Sequence, residues 1–402
     1  MKANRAKQVV EEMLALADVR INGDRAWDIL VNNPGLYDRI LAGGSMALGE
    51  SYMDGWWHCP ALDQFFDKIL SARLDKKGGI TRAVIWAAAK ARLINAQRRS
   101  RADVVGKRHY DIGNQLFAKM LDKRMNYSCA FWDNAGSLDQ AQENKLDLIC
   151  RKIDLKPGMS VLDIGCGWGG YAGWAAEKYQ AKVLGITVSR QQVNFVREHC
   201  RDLEVTVELE DYRKLRGQFD RIVSVGMFEH VGVRNYRTYM EVVQRCLKDD
   251  GLFLLQTIGG NTSTQSTDPW IDKYIFPNQT IGGNTSTQST DPWIDKYIFP
   301  NSMLPSVAQI ASASEGLLVI EDWHSFGPHY DRTLMAWHRN FTDNWDSLKA
   351  GYDDRFYRMW AYYLLSCAGS FRARRNQLWQ IVFSKKGLRG GYERPLVQGQ
   401  SV

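Results

Sequence analysis

A glycine-rich turn at residues 161–170 carries the clearest chemical signal in the sequence. The stretch reads VLDIGCGWGG, so a short apolar strand runs directly into the turn. Glycine has no Cβ and adopts positive φ at little cost, so Gly165, Gly167 and Gly169 allow the backbone to approach a ligand closely. The pattern predicts a nucleoside cofactor at this turn, with a turn that only serves packing as the alternative.

Two classes of cofactor compete for such a turn. A dinucleotide-binding turn reads G-x-G-x-x-G and has an acidic residue about 20 positions later that binds a ribose. This chain has Asp163 inside the motif, and the next predicted strand, 182–188, ends in Thr187, Val188 and Ser189 without an acid. A carboxylate suits the cationic ammonium and sulfonium of S-adenosylmethionine and would repel a pyrophosphate. The residues therefore favour a methyltransferase over a NAD enzyme.

The turn lies in a run of alternating strands and helices that begins near residue 106. This alternation is typical of a doubly wound, Rossmann-like α/β sheet with its ligand at the carboxyl ends of the strands. Residues 1–105 instead predict a small, mainly helical N-terminal domain, and 106–402 the catalytic domain. The predicted strands are 160–164, 182–188, 205–209, 220–225 and 252–257, and the predicted helices include 171–179 and 190–200.

Length and composition predict a two-domain cytoplasmic protein. The chain has 402 residues, 45% of them hydrophobic. No apolar run approaches the roughly 18 residues of a membrane span, and the first residues do not form a signal-peptide pattern. Seven cysteines are scattered without C-x-x-C spacing, so we expect neither disulfide bonds nor a metal site.

The net charge of +7 is concentrated between residues 73 and 108, where eleven Lys and Arg residues face two Asp. A helix predicted at 81–96 could lie on an anionic membrane surface, each basic residue contributing about 1 kcal/mol. A solvated linker helix is the alternative. No aromatic recognition motif accompanies the charge, so nucleic acid is not an expected partner.

Residues 256–278 are repeated without a change at 279–301. Solenoid repeats diverge and need at least about three copies to bury a continuous core, so a perfect pair does not predict a repeat fold. We interpret the pair as a recent tandem duplication or an error in the recorded sequence. We expect only one copy to occupy the native place, with the other looped out or poorly ordered.

Seven motifs, in order along the chain, resemble those of the cyclopropane-fatty-acyl-phospholipid synthases and, more distantly, of the mycolic acid cyclopropane synthases. The resemblance covers nearly the whole chain, with motifs at 49–57, 109–114, 127–130, 161–170, 224–232, 291–300 and 367–372. It implies an S-adenosylmethionine-dependent methyltransferase that adds a methylene group to the cis double bond of acyl chains in membrane phospholipids. A lipid C-methyltransferase that makes a methyl branch, and a catalytically impaired lipid-binding homologue, are the alternatives.

This activity also implies where the protein works. It would associate peripherally with the inner face of the cell membrane, where its phospholipid substrates lie. We expect residues 1–105 to contact that surface or to form a homodimer.

The implied chemistry sets three requirements. An alkene is a weak nucleophile, so its double bond has to be held in line with the sulfonium methyl in a dry pocket, where positioning supplies about 7 to 11 kcal/mol. The carbocation that follows must be kept from water. A base must then remove a proton so that the ring closes.

The resemblance implies that this base is a bound bicarbonate. Its ligands would be Cys129, Glu229, Tyr330 and the backbone of Ile258. Gln256 stands where the family often has a histidine. Its amide can donate a hydrogen bond to the anion but carries no charge, and Gln279 of the second copy is the alternative.

Cys367 occupies a position that the family labels catalytic, but no step of alkene methylation needs a thiol nucleophile. We therefore interpret Cys367 as a residue that lines the pocket. Ser189 and Gln191 are expected to bind the ribose in place of the missing acid. The full set of cofactor residues that the resemblance implies is Tyr127, Ser128, Asp163, Gly165, Gly167, Gly169, Thr187, Ser189, Gln191, Gln192, Asp211 and Tyr212.

Overall fold

The structure is a computed structural model that describes residues 2–73, 114–263, 291–299 and 302–395. In chain order its elements are α1 (Lys2–Ala15), β1 (Leu30–Val31), α2 (Leu36–Met53), β2 (Trp57–His58), α3 (Leu62–Ser71), α4 (Asn114–Met120), α5 (Leu138–Lys152), β3 (Ser160–Ile164), α6 (Gly170–Tyr179), β4 (Lys182–Thr187), α7 (Arg190–His199), β5 (Val205–Leu209), β6 (Phe219–Val225), α8 (Tyr236–Cys246), β7 (Leu247–Gly260), α9 (Pro292–Tyr297), α10 (Val307–Ser314), β8 (Val319–Ser325), α11 (Pro328–Asp343), α12 (Trp345–Leu348), α13 (Asp354–Arg372) and β9 (Asn376–Ser384). Short 3₁₀ turns lie at Tyr212–Lys214, Phe228–His230 and Val233–Asn235.

Two compact units divide the chain, and both are discontinuous in sequence. The helical unit is formed by Met1–Leu116, Thr264–Ser302 and Trp337–Arg375, and the sheet unit by Phe117–Ser263, Met303–Ala336 and Asn376–Val402. This division differs from the single boundary predicted at residue 105, because α13 packs on α2 and α3. The roles predicted for 1–105 and 106–402 stay predictions.

A seven-stranded sheet with the order β5-β4-β3-β6-β7-β9-β8 forms the centre of the sheet unit. The five neighbouring strands β5, β4, β3, β6 and β7 are parallel. Strand β9 runs antiparallel to both β7 and β8. The strand order reverses direction between β3 and β6, and ligands bind at such a switch point in open α/β sheets. The predicted doubly wound α/β fold is confirmed, with an antiparallel pair, β8 and β9, that the sequence did not predict.

Apolar side chains cover both faces of this sheet. Leu162 and Phe253 belong to the core on one face, while Val161, Val223 and Leu254 belong to the core on the other. Each fully buried side chain of this size contributes about 1.5–3 kcal/mol. The carboxyl ends of the central strands are therefore held on a rigid platform.

An aromatic core forms within the helical unit. The ring of Trp57 lies 5.1 Å from that of Tyr52 and 5.4 Å from that of Phe65. Helix α13 approaches α3 so closely that a Cβ at Gly369 would lie 2.6 Å from the backbone oxygen of Asp63. Tyr52 and Trp57 of the 49–57 motif thus belong to a packed core.

Three expectations from the sequence concern the helix at 81–96, membrane spans and the cysteines. The helix predicted at 81–96 falls in residues 74–113, which lie outside the described residues. No helix of the described part combines the length and hydropathy that a bilayer crossing requires. All seven cysteines are free thiols, six of them buried and Cys367 half-buried.

The two copies of the duplicated segment contribute different parts of the structure. Residues 256–263 of the first copy complete β7 and the turn after it, and residues 291–299 of the second copy contain α9. In the helical unit, Trp293 of α9 packs against Gly49, where a Cβ would lie 2.4 Å from Trp293 Cδ1. The described residues therefore use no position of the repeat twice. Because residues 264–290 lie outside them, occupation of the native place by one copy stays a prediction.

We predict that deleting residues 268–290, which leaves one intact copy, preserves the fold. The shortened chain still contains every repeat position found in β7 and α9, so its circular dichroism spectrum and thermal midpoint should match or exceed those of the parent. Gly49→Ala serves as the control, since it should lower the midpoint equally in both chains if α9 packs alike in each. Loss of helical signal, or a midpoint lower by more than about 5 °C, would contradict the prediction; such a shift corresponds to about 1–2 kcal/mol.

Candidate active site

The glycine turn follows β3 directly and opens α6. Gly165, Gly167 and Gly169 all have positive φ, at 84°, 55° and 80°. The backbone amides of Gly165 and Cys166 donate to the carbonyl of Ile186, which ties the turn to β4. A Cβ at Gly167 would point into open space, so here the bare backbone is accessible to a ligand.

Asp163 lies beneath this turn at the end of β3. Its carboxyl is buried, and Oδ2 has no hydrogen-bond partner among the described residues. Burial raises the pKa of Asp163 to about 7, and the positive charge of Lys145 opposes that rise. An enclosed carboxylate oxygen without a partner fits a cationic group of a bound cofactor.

The segment that contains Tyr127 and Ser128 lies beside the glycine turn and contacts α5. The Tyr127 ring contacts that of Phe117, which in turn lies 4.9 Å from the ring of Trp168 in the glycine turn. The Ser128 hydroxyl accepts a hydrogen bond from Lys145 Nζ at 3.0 Å. These two predicted residues and the glycine turn are thus brought together.

Predicted residues after β4 are bonded to one another. Thr187 Oγ1 donates to Gln192 Oε1 at 2.6 Å, and the Ser189 hydroxyl caps α7 by accepting from the Gln192 amide. Gln191 is exposed on the first turn of that helix. The structure therefore places all four at the carboxyl end of β4, next to the switch point.

Asp211 and Tyr212 follow β5, one strand further out. Arg213 binds both oxygens of Asp211, and these hydrogen bonds hold the pKa of that carboxyl at about 2. The Tyr212 ring lies 5.1 Å from that of Tyr239. Asp211 is therefore ionised at neutral pH. It lies just after the carboxyl end of β5.

A second polar cluster lies at the ends of β6 and β7. Glu229 is buried, and its Oε1 accepts from the backbone amide of Ile258 at 2.6 Å. Its Oε2 is enclosed without a hydrogen-bond partner among the described residues. Burial raises the pKa of Glu229 to about 7, so its protonated and ionised forms coexist near neutrality. Such a carboxyl can either donate a proton or accept one.

Gln256 and Cys129 contact each other in the sheet unit, and Tyr330 lies on α11, which also contacts Cys129. Gln256 Nε2 points at the Cys129 carbonyl at 3.5 Å, and Gln256 Oε1 accepts from Gln380 Nε2 at 2.9 Å. Thr333 lies against the Cys129 sulfur, and Tyr330 is buried one turn before it on α11. That these residues and Glu229 form one base site stays a prediction.

Cys367 belongs to the helical unit, on α13. Burial raises the pKa of its thiol to about 12. At neutral pH the sulfur is therefore protonated and a poor nucleophile. That Cys367 lines the pocket stays a prediction.

The sequence analysis missed three buried polar residues of these clusters. Gln142 and Lys145 lie on the face of α5 that also carries Leu146 and Ile149, and Gln380 interrupts the apolar strand β9. A lone polar residue at an apolar position of a helix face or strand is the signal that could have found them. No group of three or more His, Cys, Asp or Glu side chains in the described part of the chain could hold a metal ion.

Comparison with known proteins matches the family model described as mycolic acid cyclopropane synthetase over residues 97–288 and 278–381. The cyclopropane-fatty-acyl-phospholipid synthase of Escherichia coli (strain K12) is 51% identical over 378 residues, which cover 94% of this chain and 93% of that protein. The two overlapping family matches meet within the duplicated segment.

Two solved structures extend the likeness to the fold. The cyclopropane synthase MmaA2 from Mycobacterium tuberculosis has a TM-score of 0.61 at 29% identity, over 69% of this chain and 96% of that one. The mycolic acid cyclopropane synthase CmaA1, complexed with SAH and CTAB, has a TM-score of 0.59 at 31% identity, over 69% and 96%. The resemblance deduced from the seven motifs is confirmed: this chain belongs to the mycolic acid cyclopropane synthetase family.

Proposed function

We propose that this protein is a cyclopropane-fatty-acyl-phospholipid synthase. It transfers a methylene group from S-adenosylmethionine to the cis double bond of unsaturated acyl chains in membrane phospholipids. The name of the Escherichia coli relative, at 51% identity over most of both chains, supports this activity. The observation that carries the proposal is the adjacency of Ser128 and Cys129, one beside the glycine turn and the other beside the Glu229 cluster.

That adjacency supports a cofactor cradle, formed by the glycine turn, Asp163 and residues 126–128, next to a proton-accepting cluster around Glu229. Consecutive Cα atoms lie about 3.8 Å apart. A Cβ at Gly226, at the end of β6, would lie 3.9 Å from Ser128 Cβ, so the strand end that leads to Glu229 contacts the same segment. A methyl donor in the cradle would thus lie close to a base in the cluster, which would accept a proton from the transferred methyl group as the ring closes.

The residues of the cradle fit S-adenosylmethionine. When bound, this cofactor supplies an electrophilic methyl group. The open backbone at Gly167 and the unpartnered Asp163 oxygen suit a nucleoside with a cationic amino-acid end. Tyr127, Phe117 and Trp168 form a chain of rings beside the cradle.

We further propose that the Glu229 cluster holds bicarbonate as the base. Glu229 is fixed through Oε1 by the Ile258 amide, so its free Oε2 is the atom that would exchange a proton with the anion. Gln256 is oriented by Gln380 and donates one amide hydrogen to the Cys129 carbonyl, so its second amide hydrogen would be available to the anion. The Ile258 amide is already donated to Glu229, so Ile258 would act by placing that carboxyl.

The remaining expectations on partners rest on the sequence. The basic stretch at 73–108 and the phospholipid substrate support peripheral binding to an anionic membrane surface at the inner face of the cell membrane. We also propose a cytoplasmic location and a homodimer.

The activity is tested by the mass of the lipid products. Incubation with S-adenosylmethionine and vesicles of monounsaturated phospholipid should give acyl chains heavier by one CH₂ that no longer react as alkenes. A saturated phospholipid is the control and should stay unchanged. A methyl-branched product would indicate the related lipid C-methyltransferase. Binding of vesicles without turnover would indicate an impaired lipid-binding homologue.

Glu229→Gln is predicted to lower turnover by roughly 100-fold or more while S-adenosylmethionine affinity stays within about threefold. The amide can still accept from Ile258 but cannot exchange a proton with the base. Glu208→Gln, at an exposed position of β5, is the matched control and should behave as the parent. A parental rate in Glu229→Gln would exclude a role of this carboxyl in proton transfer.

Removing dissolved carbon dioxide and bicarbonate should slow the reaction, and added bicarbonate should restore it. In Gln256→Ala, the bicarbonate concentration for half-maximal rate is expected to rise about tenfold, the effect of losing one hydrogen bond to a charged group. Gln115→Ala, at an exposed site on α4, is the control. A rate independent of bicarbonate in the parent protein would contradict the proposed base.

A further inference from the structure

Lys145 is a buried cation that the proposed reaction does not use directly. It lies on α5, and its side chain is 1% exposed. Lysine is rarely buried to this extent without partners, because removal of the ammonium from water is costly. Its surroundings therefore indicate what it does.

The ammonium of Lys145 is bound to the segment that carries the predicted cofactor residues. Nζ donates to Ser128 Oγ at 3.0 Å and to Asn126 Oδ1 at 3.2 Å. One turn earlier on the same helix, Gln142 Nε2 donates to the Ser128 carbonyl at 2.9 Å. Asn126 also lies against the start of α6, where a Cβ at Gly170 would be 2.6 Å from Asn126 Oδ1. One face of α5 thus fixes residues 126–128 beside the glycine turn.

The same ammonium acts on Asp163 by charge. Burial favours the neutral carboxyl of Asp163, and the positive charge of Lys145 lowers its pKa against that effect. The other titratable groups that interact with Asp163 are Cys166, Tyr171 and Tyr239, which burial keeps protonated. Burial lowers the pKa of Lys145 to about 8, and the carboxyl of Asp122 and the thiol of Cys129 oppose that fall. Lys145 is therefore charged at pH 7 and loses its charge towards pH 9. Among the described groups around Asp163, Lys145 is therefore the one that favours the carboxylate.

From these contacts we infer that Lys145 is a positioning residue for the cofactor: it fixes the Asn126–Ser128 segment beside the glycine turn and places a positive charge near the Asp163 carboxyl. The inference rests on the proposed function only in that S-adenosylmethionine binds at the glycine turn. It adds a residue that makes no direct contact with the reacting atoms.

Lys145→Met and Lys145→Gln test this role through S-adenosylmethionine affinity, measured by calorimetry between pH 6 and pH 9. Without the lysine charge the pKa of Asp163 rises, so the carboxylate forms only at higher pH. We expect affinity at pH 7 to fall at least tenfold and the acidic limb of the affinity profile to move up by about one pH unit. Glutamine keeps hydrogen-bonding capacity without the charge, and it supplies the same test if the Met variant does not fold.

Lys152→Met is the matched control. Lys152 is equally buried on α5 but contacts His324 and Asp322 instead of the cofactor segment. It should lose stability as Lys145→Met does, yet keep the parental pH profile of binding. Titration of the ligand's own amino group is common to all variants and cancels.

An affinity loss by the same factor at every pH in both Lys145 variants, or parental binding in either, would overturn the inference. Failure of the parent protein to bind S-adenosylmethionine at all would instead refute the proposed function. The two failures are therefore distinguishable.

Discussion

Burial of the segment 126–130 is the constraint on which both halves of the site depend. Its backbone and side-chain polar groups are removed from water and therefore need partners within the protein. Gln142 and Lys145 supply them at Ser128, and Thr333 Oγ1 accepts from the amide of Ala130 at 3.1 Å. Within this segment a single peptide bond joins Ser128, beside the glycine turn, to Cys129, beside the Glu229 cluster. A shift of the segment would therefore move both residues. The geometry of the site is thus set by hydrogen bonds beneath it.

The site carries a cost in stability that the rest of the sheet unit has to offset. Asp163 Oδ2, Glu229 Oε2 and Gln380 Oε1 are buried without hydrogen-bond partners among the described residues. Each such atom costs about 1–3 kcal/mol when nothing is bound. The apolar cores on the two faces of the sheet provide the compensating burial. A bound ligand that satisfies these oxygens would relieve the cost.

Local patterns in the sequence predicted the parallel part of the sheet well. The bounds of β3 and β5 agree with those expected, and the glycine turn lies where the strand–turn–helix pattern placed it. The antiparallel pair β8 and β9 was missed, since β9 pairs with β7 more than a hundred residues earlier and such pairing leaves no local period. The same reason explains the discontinuous helical unit, where Gly369 contacts α3 across a long stretch of sequence. Gln380 and Lys145 were missed because a single polar residue inside an apolar pattern does not name its partner.

The burial of the cysteines bears on how the protein withstands oxidants. Peroxides react with the thiolate rather than with the thiol. Burial raises the pKa of every one of the seven thiols, including Cys129 beside the Glu229 cluster and Cys166 in the glycine turn. At neutral pH the reactive form is therefore scarce at all seven positions. The thiols of this enzyme therefore react slowly at neutral pH. Peroxides and oxidised glutathione have few sites at which they could form sulfenic acids or mixed disulfides.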